Sequence, residues 1–168
     1  MKKFIFICCV VIVMIVLLLL MTNLLSINTP PATDTVQKCF DENREDIFLL
    51  VSFMNKLGFN DIYISNTSGQ VIADYSTLEF TNNEVCNAIC RLLENKKYIR
   101  ISKMGQTISF LQWTGLRDVG CGIIYSEDIE ESIDREFLTD LVPLSDEGWF
   151  YYISDYSAWR NGERASLE

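Results

Sequence analysis

The side chains best suited to chemistry are four cysteines, Cys39, Cys86, Cys90 and Cys121, and a scatter of carboxylates. The chain has no histidine. That removes Ser-His-Asp and Cys-His nucleophile activation, and it removes imidazole-based metal sites. In an oxidising compartment four cysteines can pair as two disulfides, with three possible connectivities. They can equally pack as small hydrophobes. A four-cysteine zinc site is poorly served, because Cys86 and Cys90 are spaced C-x-x-x-C and the other two are isolated. Cys86 and Cys90 fall on a helical pattern with Ile89 and Leu93, so no disulfide between them is expected. Cys121, between Gly120 and Gly122, is a potential thiol nucleophile with no histidine base. Its plainer reading is a core residue at a strand start.

Paired acids such as Glu127 with Asp128, or Glu130 with Glu131, are the other candidates, as general acid and base. An enzyme working with such a carboxylate pair is the alternative to a binding function. In a chain this acidic, neighbouring carboxylates more commonly form a solvated face. Asp74, Asp118 and Asp128 lack the D-x-D-x-D-G spacing of a calcium loop. Phosphate-loop, dinucleotide and hydrolase-elbow motifs are absent, and no cofactor or metal is expected. The densest unusual stretch is residues 149–159, with six aromatics among eleven residues. Period-two alternation puts Trp149 and Tyr151 on one face of a strand, and Phe150 and Tyr152 on the other. These four are the expected partner-binding surface, because Trp and Tyr offer large contact area at low entropic cost. A central strand buried on both faces is the competing reading.

Positioning starts with the N-terminus. Residues 4–21 are eighteen apolar residues with no charge, Gly or Pro, preceded by Lys2 and Lys3. As a helix they would span about 27 Å, close to the hydrocarbon thickness of a bilayer. The basic flank orients the N-terminus to the cytoplasm and everything after residue 30 outside the cell membrane. The rival is a cleaved signal peptide and a secreted product. The run is longer than a usual signal core, and small-residue cleavage pairs are poor. The expected organisation is an anchor at 1–27, a linker at 28–38, an extracytoplasmic domain at 39–160 and a disordered tail at 161–168. Lys2 and Lys3 are two of 14 basic residues; the remaining 12 face 23 acids. Nucleic acid is therefore excluded as a partner. The bilayer, through residues 4–21, and an unidentified membrane or extracytoplasmic protein are the expected ones.

Within the domain, apolar spacing predicts a helix over 42–57 with Asn43 as N-cap and Gly58 past its end. Its stripe is Ile47, Leu50, Val51, Met54 and Leu57. Alternation predicts strands at 61–65 and 70–75 around an Asn66-Thr67-Ser68-Gly69 loop, which is also a glycosylation sequon. A Thr81 to Glu84 capping box starts a second helix ending near residue 95, with Val85, Cys86, Ile89, Cys90, Leu92 and Leu93 as its buried stripe. Strands follow at 98–103, 107–114 and 121–126. Residues 126–141 read as a turn and a short third helix carrying Ile129, Ile133, Phe137 and Leu141, stopped by Pro143. The last strand is 149–155.

Helix, two strands, helix, three strands, helix resembles the order of the profilin-like and PAS-like group. The phrase from Ile62 to Ala73 is similar to the first hairpin of extracytoplasmic Cache-type sensor domains. The resemblance implies an α+β domain in which helices pack on an antiparallel sheet, and it supplies no binding residue. Such sensors carry a second span and a cytoplasmic output domain. A sensing role here would therefore require a partner to pass the signal inward. The reading is a single-pass, membrane-anchored, extracytoplasmic binding protein without enzymatic activity.

Overall fold

A computed structural model describes residues 11–17, 29–65, 71–74, 76–78, 83–93, 97–115, 119–129 and 138–156. The chain divides into two compact units, Met1–Pro30 and Pro31–Glu168. In the first, residues 11–17 are helical and exposed. Among the described residues no helix is long and apolar enough to cross a membrane. The remainder of the expected 4–21 span lies outside the described residues, as do the Thr81 cap, the Gly69 loop and the 161–168 tail.

The second unit is α+β. Helices α1 (Thr33–Glu42), α2 (Arg44–Lys56) and α3 (Asn83–Leu93) accompany an eight-stranded antiparallel sheet. Its strands are β1 (Asp61–Ser65), β2 (Val71–Ala73), β3 (Ser76–Leu78), β4 (Arg100–Met104), β5 (Thr107–Thr114), β6 (Val119–Tyr125), β7 (Leu138–Pro143) and β8 (Trp149–Asp155). They lie in the order β3-β2-β1-β4-β5-β6-β8-β7.

Helix α1 occupies the segment that its polar composition and Pro30-Pro31 marked as linker. Only Val36 and Phe40 are buried in it, four residues apart and so on one face. Phe40 stacks 4.8 Å from Trp149 of β8. The Gln37 amide donates to Ser145 Oγ and accepts from Ser145 N, tying α1 to the β7–β8 turn. The predicted single helix therefore starts two residues late, after a break at Asn43. Asn43 is the N-cap residue of α2, as expected, but its side chain makes no capping hydrogen bond. Its Nδ2 donates back to Cys39 O at 2.6 Å, and Lys97 Nζ donates to its Oδ1. Ile47, Leu50, Val51 and Met54 are buried as expected, and Gly58 takes φ +71° just past the end. Arg91 of α3 grips Asp46 of α2 through two hydrogen bonds, Nε to Oδ2 at 2.8 Å and Nη2 to Oδ1.

The helix-side core combines these stripes with Ile62, Ile64, Val71, Ala73, Ile101, Ile108, Phe110, Cys121, Ile123, Trp149 and Tyr151 from the sheet. On α3 the buried set is Val85, Ala88, Ile89, Leu92 and Leu93. Cys86 is half-buried and Cys90 exposed, a correction to the expected stripe. The 100° helical step places Val85 and Leu92 near the centre of the apolar face, Ala88 at one edge, and Cys86 and then Cys90 beyond the other. Buried Lys103 lies on the same side of the sheet. Its Nζ donates to Met54 O at 3.2 Å, on the last turn of α2, where the helix dipole favours a cation.

Two strands differ from expectation. Strand β3 follows β2 through Asp74, which adopts φ +43° and accepts the Asp61 N–H at 2.8 Å on Oδ1. Residues 138–143 form strand β7 rather than the end of a third helix. Pro143 sits at the end of this edge strand, where a missing N–H costs least. Ile133 and Phe137 lie outside the described residues. Strands β3 and β7 are additions to the element order read from the sequence.

Candidate functional site

Strand β8 is not an open surface. It lies between β6 and β7, and Trp149, Tyr151 and Tyr152 are 2%, 3% and 6% exposed. Trp149 and Tyr151 enter the helix-side core, where Trp149 meets Phe40, Phe48, Phe110 and Tyr125. Tyr152 enters a second cluster on the opposite face with Leu111 and Ile124, and half-buried Phe150 packs against it. The expected partner-binding quartet is thus core on both sides of the sheet. The aromatic density reports a strand covered on two faces.

Cys121 is fully buried, and its thiol is pushed up to about 11 by desolvation, with a hydrogen bond to Tyr151 acting the other way. Tyr151 is pushed up to about 12, first by burial, and donates its hydroxyl to Pro31 O at 3.1 Å. A buried thiol held protonated is a poor nucleophile. Gly120 and Gly122 beside it answer to packing. A bulge between Leu111 and Trp113 pushes β5 toward β6. A Cβ on Gly122 would sit 2.0 Å from Phe110 O, and one on Gly120 would sit 2.9 Å from the Leu111 side chain. Cys39 lies half-buried on α1, and burial raises its thiol. No disulfide joins Cys39, Cys86, Cys90 and Cys121.

Among the acids, Glu127 and Asp128 are exposed, and Tyr125 OH donates to Glu127 at 3.3 Å. Glu130, Glu131 and Asp118 lie outside the described residues. Among those described, no group of three or more Cys, Asp or Glu is placed to hold a metal. A cavity of about 550 Å³ at the α1–α2 junction is lined by Asp41, Glu42, Asn43 and Asp46. Its two arginines are already engaged, Arg44 with Asp146 and Arg91 with Asp46.

The open surface lies elsewhere, on the side of β2, β1 and β4 away from the helices. Alternation turns Ile62, Ile64, Ile101 and Lys103 inward, leaving Asp61, Tyr63, Arg100, Ser102 and Met104 outward. Register brings these residues together. Tyr63 faces Ile72 on one neighbour and Ser102 on the other. Tyr63 and Ile72 are each 41% exposed and Met104 70% exposed. Together with Asp61, Asp74 and Arg100 they line a shallow cavity of about 370 Å³. The Arg100 guanidinium lies over the Tyr63 ring, 5.5 Å from its centroid, a cation–π contact. Its Nε is shut off from water and has no hydrogen-bond partner among the described residues. A buried donor left unsatisfied costs about 1–3 kcal/mol. Ser102 and Ser109 share a hydroxyl hydrogen bond of 2.8 Å at the cavity's side. Sequence reading missed this group because its members are single residues on three strands. The only local signal was outward-facing Tyr63 and Ile72 on alternating strands.

Comparison with protein-family models, with curated proteins and with solved structures finds no match to this chain.

Proposed function

We propose that this chain is a single-pass membrane protein whose acidic α+β unit lies outside the cytoplasm and works by binding, through the open half of its sheet. The anchor reading rests on the eighteen apolar residues behind Lys2 and Lys3. The observation that carries the binding reading is the cavity on β1, β2 and β4. It gathers exposed Tyr63, Ile72 and Met104 around an arginine that has no carboxylate partner among the described residues. Aromatic and arginine side chains at one exposed spot are the composition of an interaction centre. The absence of histidine leaves binding as the economical role for such a surface.

The test places a photo-crosslinking amino acid at Tyr63 of the full chain in native membranes, with the same group at exposed Lys56 on α2 as control. Capture of a discrete species from Tyr63 and not from Lys56 is expected. Equal, diffuse capture from both positions would overturn the assignment of the binding face.

A further inference from the structure

We infer that the cavity on β1, β2 and β4 is a small-molecule site that takes a monoanion with an apolar body, its carboxylate or phosphate group held by Arg100. This rests on the binding reading above and names the ligand class. Four observations carry it. Arg100 makes no ion pair among the described residues, and its Nε has no partner. An oxyanion accepts two parallel N–H bonds from a guanidinium, and no carboxylate among the described residues already holds that of Arg100. The Tyr63 ring under the guanidinium holds that fork in plane. Finally, the remaining exposed walls, Ile72, Met104 and the Tyr63 ring, are apolar.

The two ends of the cavity differ in charge, and this orients the ligand. Arg100 pairs with Ser65 at one end, and Met104 pairs with Asp61 at the other. Four residues of strand separate them, about 13 Å. Asp61 and Asp74 stand at the far end, with Asp74 fixed by the Asp61 N–H. An anion is drawn to the Arg100 end and repelled from the other. Lys103 also borders the cavity, but its ammonium is turned inward onto Met54 O. A ligand with anions at both ends is therefore disfavoured.

The probe is 4-phenylbutyrate, set against neutral 4-phenylbutanol and cationic 4-phenylbutylamine, with inorganic phosphate as competitor. Binding to the full chain in nanodiscs is read by saturation-transfer NMR, with thermal melting as a folding control. The expected result is transfer to the acid's ring protons in the wild-type chain. Binding should weaken at least tenfold in R100Q and less in R100K, with melting unchanged, and inorganic phosphate should displace the acid. Met104→Ser should weaken the acid without restoring preference for the alcohol. Equal binding of acid, alcohol and amine, or full retention in R100Q, would overturn the inference. Absence of transfer to any of the three would also overturn it, while the Tyr63 crosslinking experiment decides the broader reading independently.

Discussion

Gly122 shows how one missing side chain sets the sheet. The β5 bulge brings Phe110 O to within 2.0 Å of where its Cβ would stand, and backbone cannot swing aside as a flexible side chain can. Gly122→Ala should cost about 2 kcal/mol or more, in the range of overpacked cores, and lower the urea midpoint of the full chain in detergent. An unchanged midpoint would mean the bulge relaxes freely. Cys121 beside it makes a pH prediction. Its folded pKa of about 11 exceeds the ordinary 9.0, so the unfolded chain ionises first as pH rises. Stability from this group is fully present below pH 9 and is lost progressively between pH 9 and 11. Tyr151, raised from 10.0 to about 12, extends the same loss upward from pH 10. Cys121→Ala should lower stability at neutral pH through its small cavity, yet flatten the decline between pH 9 and 11. Urea titrations at several pH values measure both effects.

Helix α2 and strand β4 meet through Lys103, whose ammonium sits 7% exposed under the last turn of the helix. Reversing that charge places a carboxylate against carbonyl oxygens in a buried site. Lys103→Glu should therefore cost about 3–5 kcal/mol, against about 1 kcal/mol for Lys103→Met, which loses one hydrogen bond but keeps the volume. Chemical denaturation of the two variants should show that ordering, and equal losses would mean the helix terminus contributes nothing. The same contrast between local and long-range cause explains what the sequence disclosed. β1 and β4 were legible because each alternates against one core, and β5 and β8 because each is a short apolar run covered on both faces. Helix α1 was not, because Val36 and Phe40 alone carry its burial among polar neighbours. Strand β7 was misread because the irregularity between Leu138 and Asp140 breaks period two. Leu141 then falls at helical spacing with Ile129, Ile133 and Phe137. At the candidate site, local composition pointed to Trp149–Tyr152, which is core. Arg100, Tyr63, Ile72 and Met104 become neighbours only through strand register.

At the scale of the whole molecule, composition, anchor and open sheet face fit one arrangement. In the proposed arrangement, the 23 acids against the 12 bases that follow Lys3 would keep the second unit repelled from anionic lipid. The proposal has the apolar run anchor it there, with the exposed Tyr63, Ile72 and Met104 as the surface offered to a ligand. Topology is the premise on which the rest depends, and Cys90 reports it directly because its side chain is exposed on α3. The measurement is labelling of intact cells with a membrane-impermeant maleimide, followed by alkaline washing of the membranes. The account expects modification of Cys90 in intact cells, lost in Cys90→Ser, with the labelled full-length chain retained in the washed pellet. Labelling that requires permeabilisation, or a labelled chain released by the wash, would contradict it.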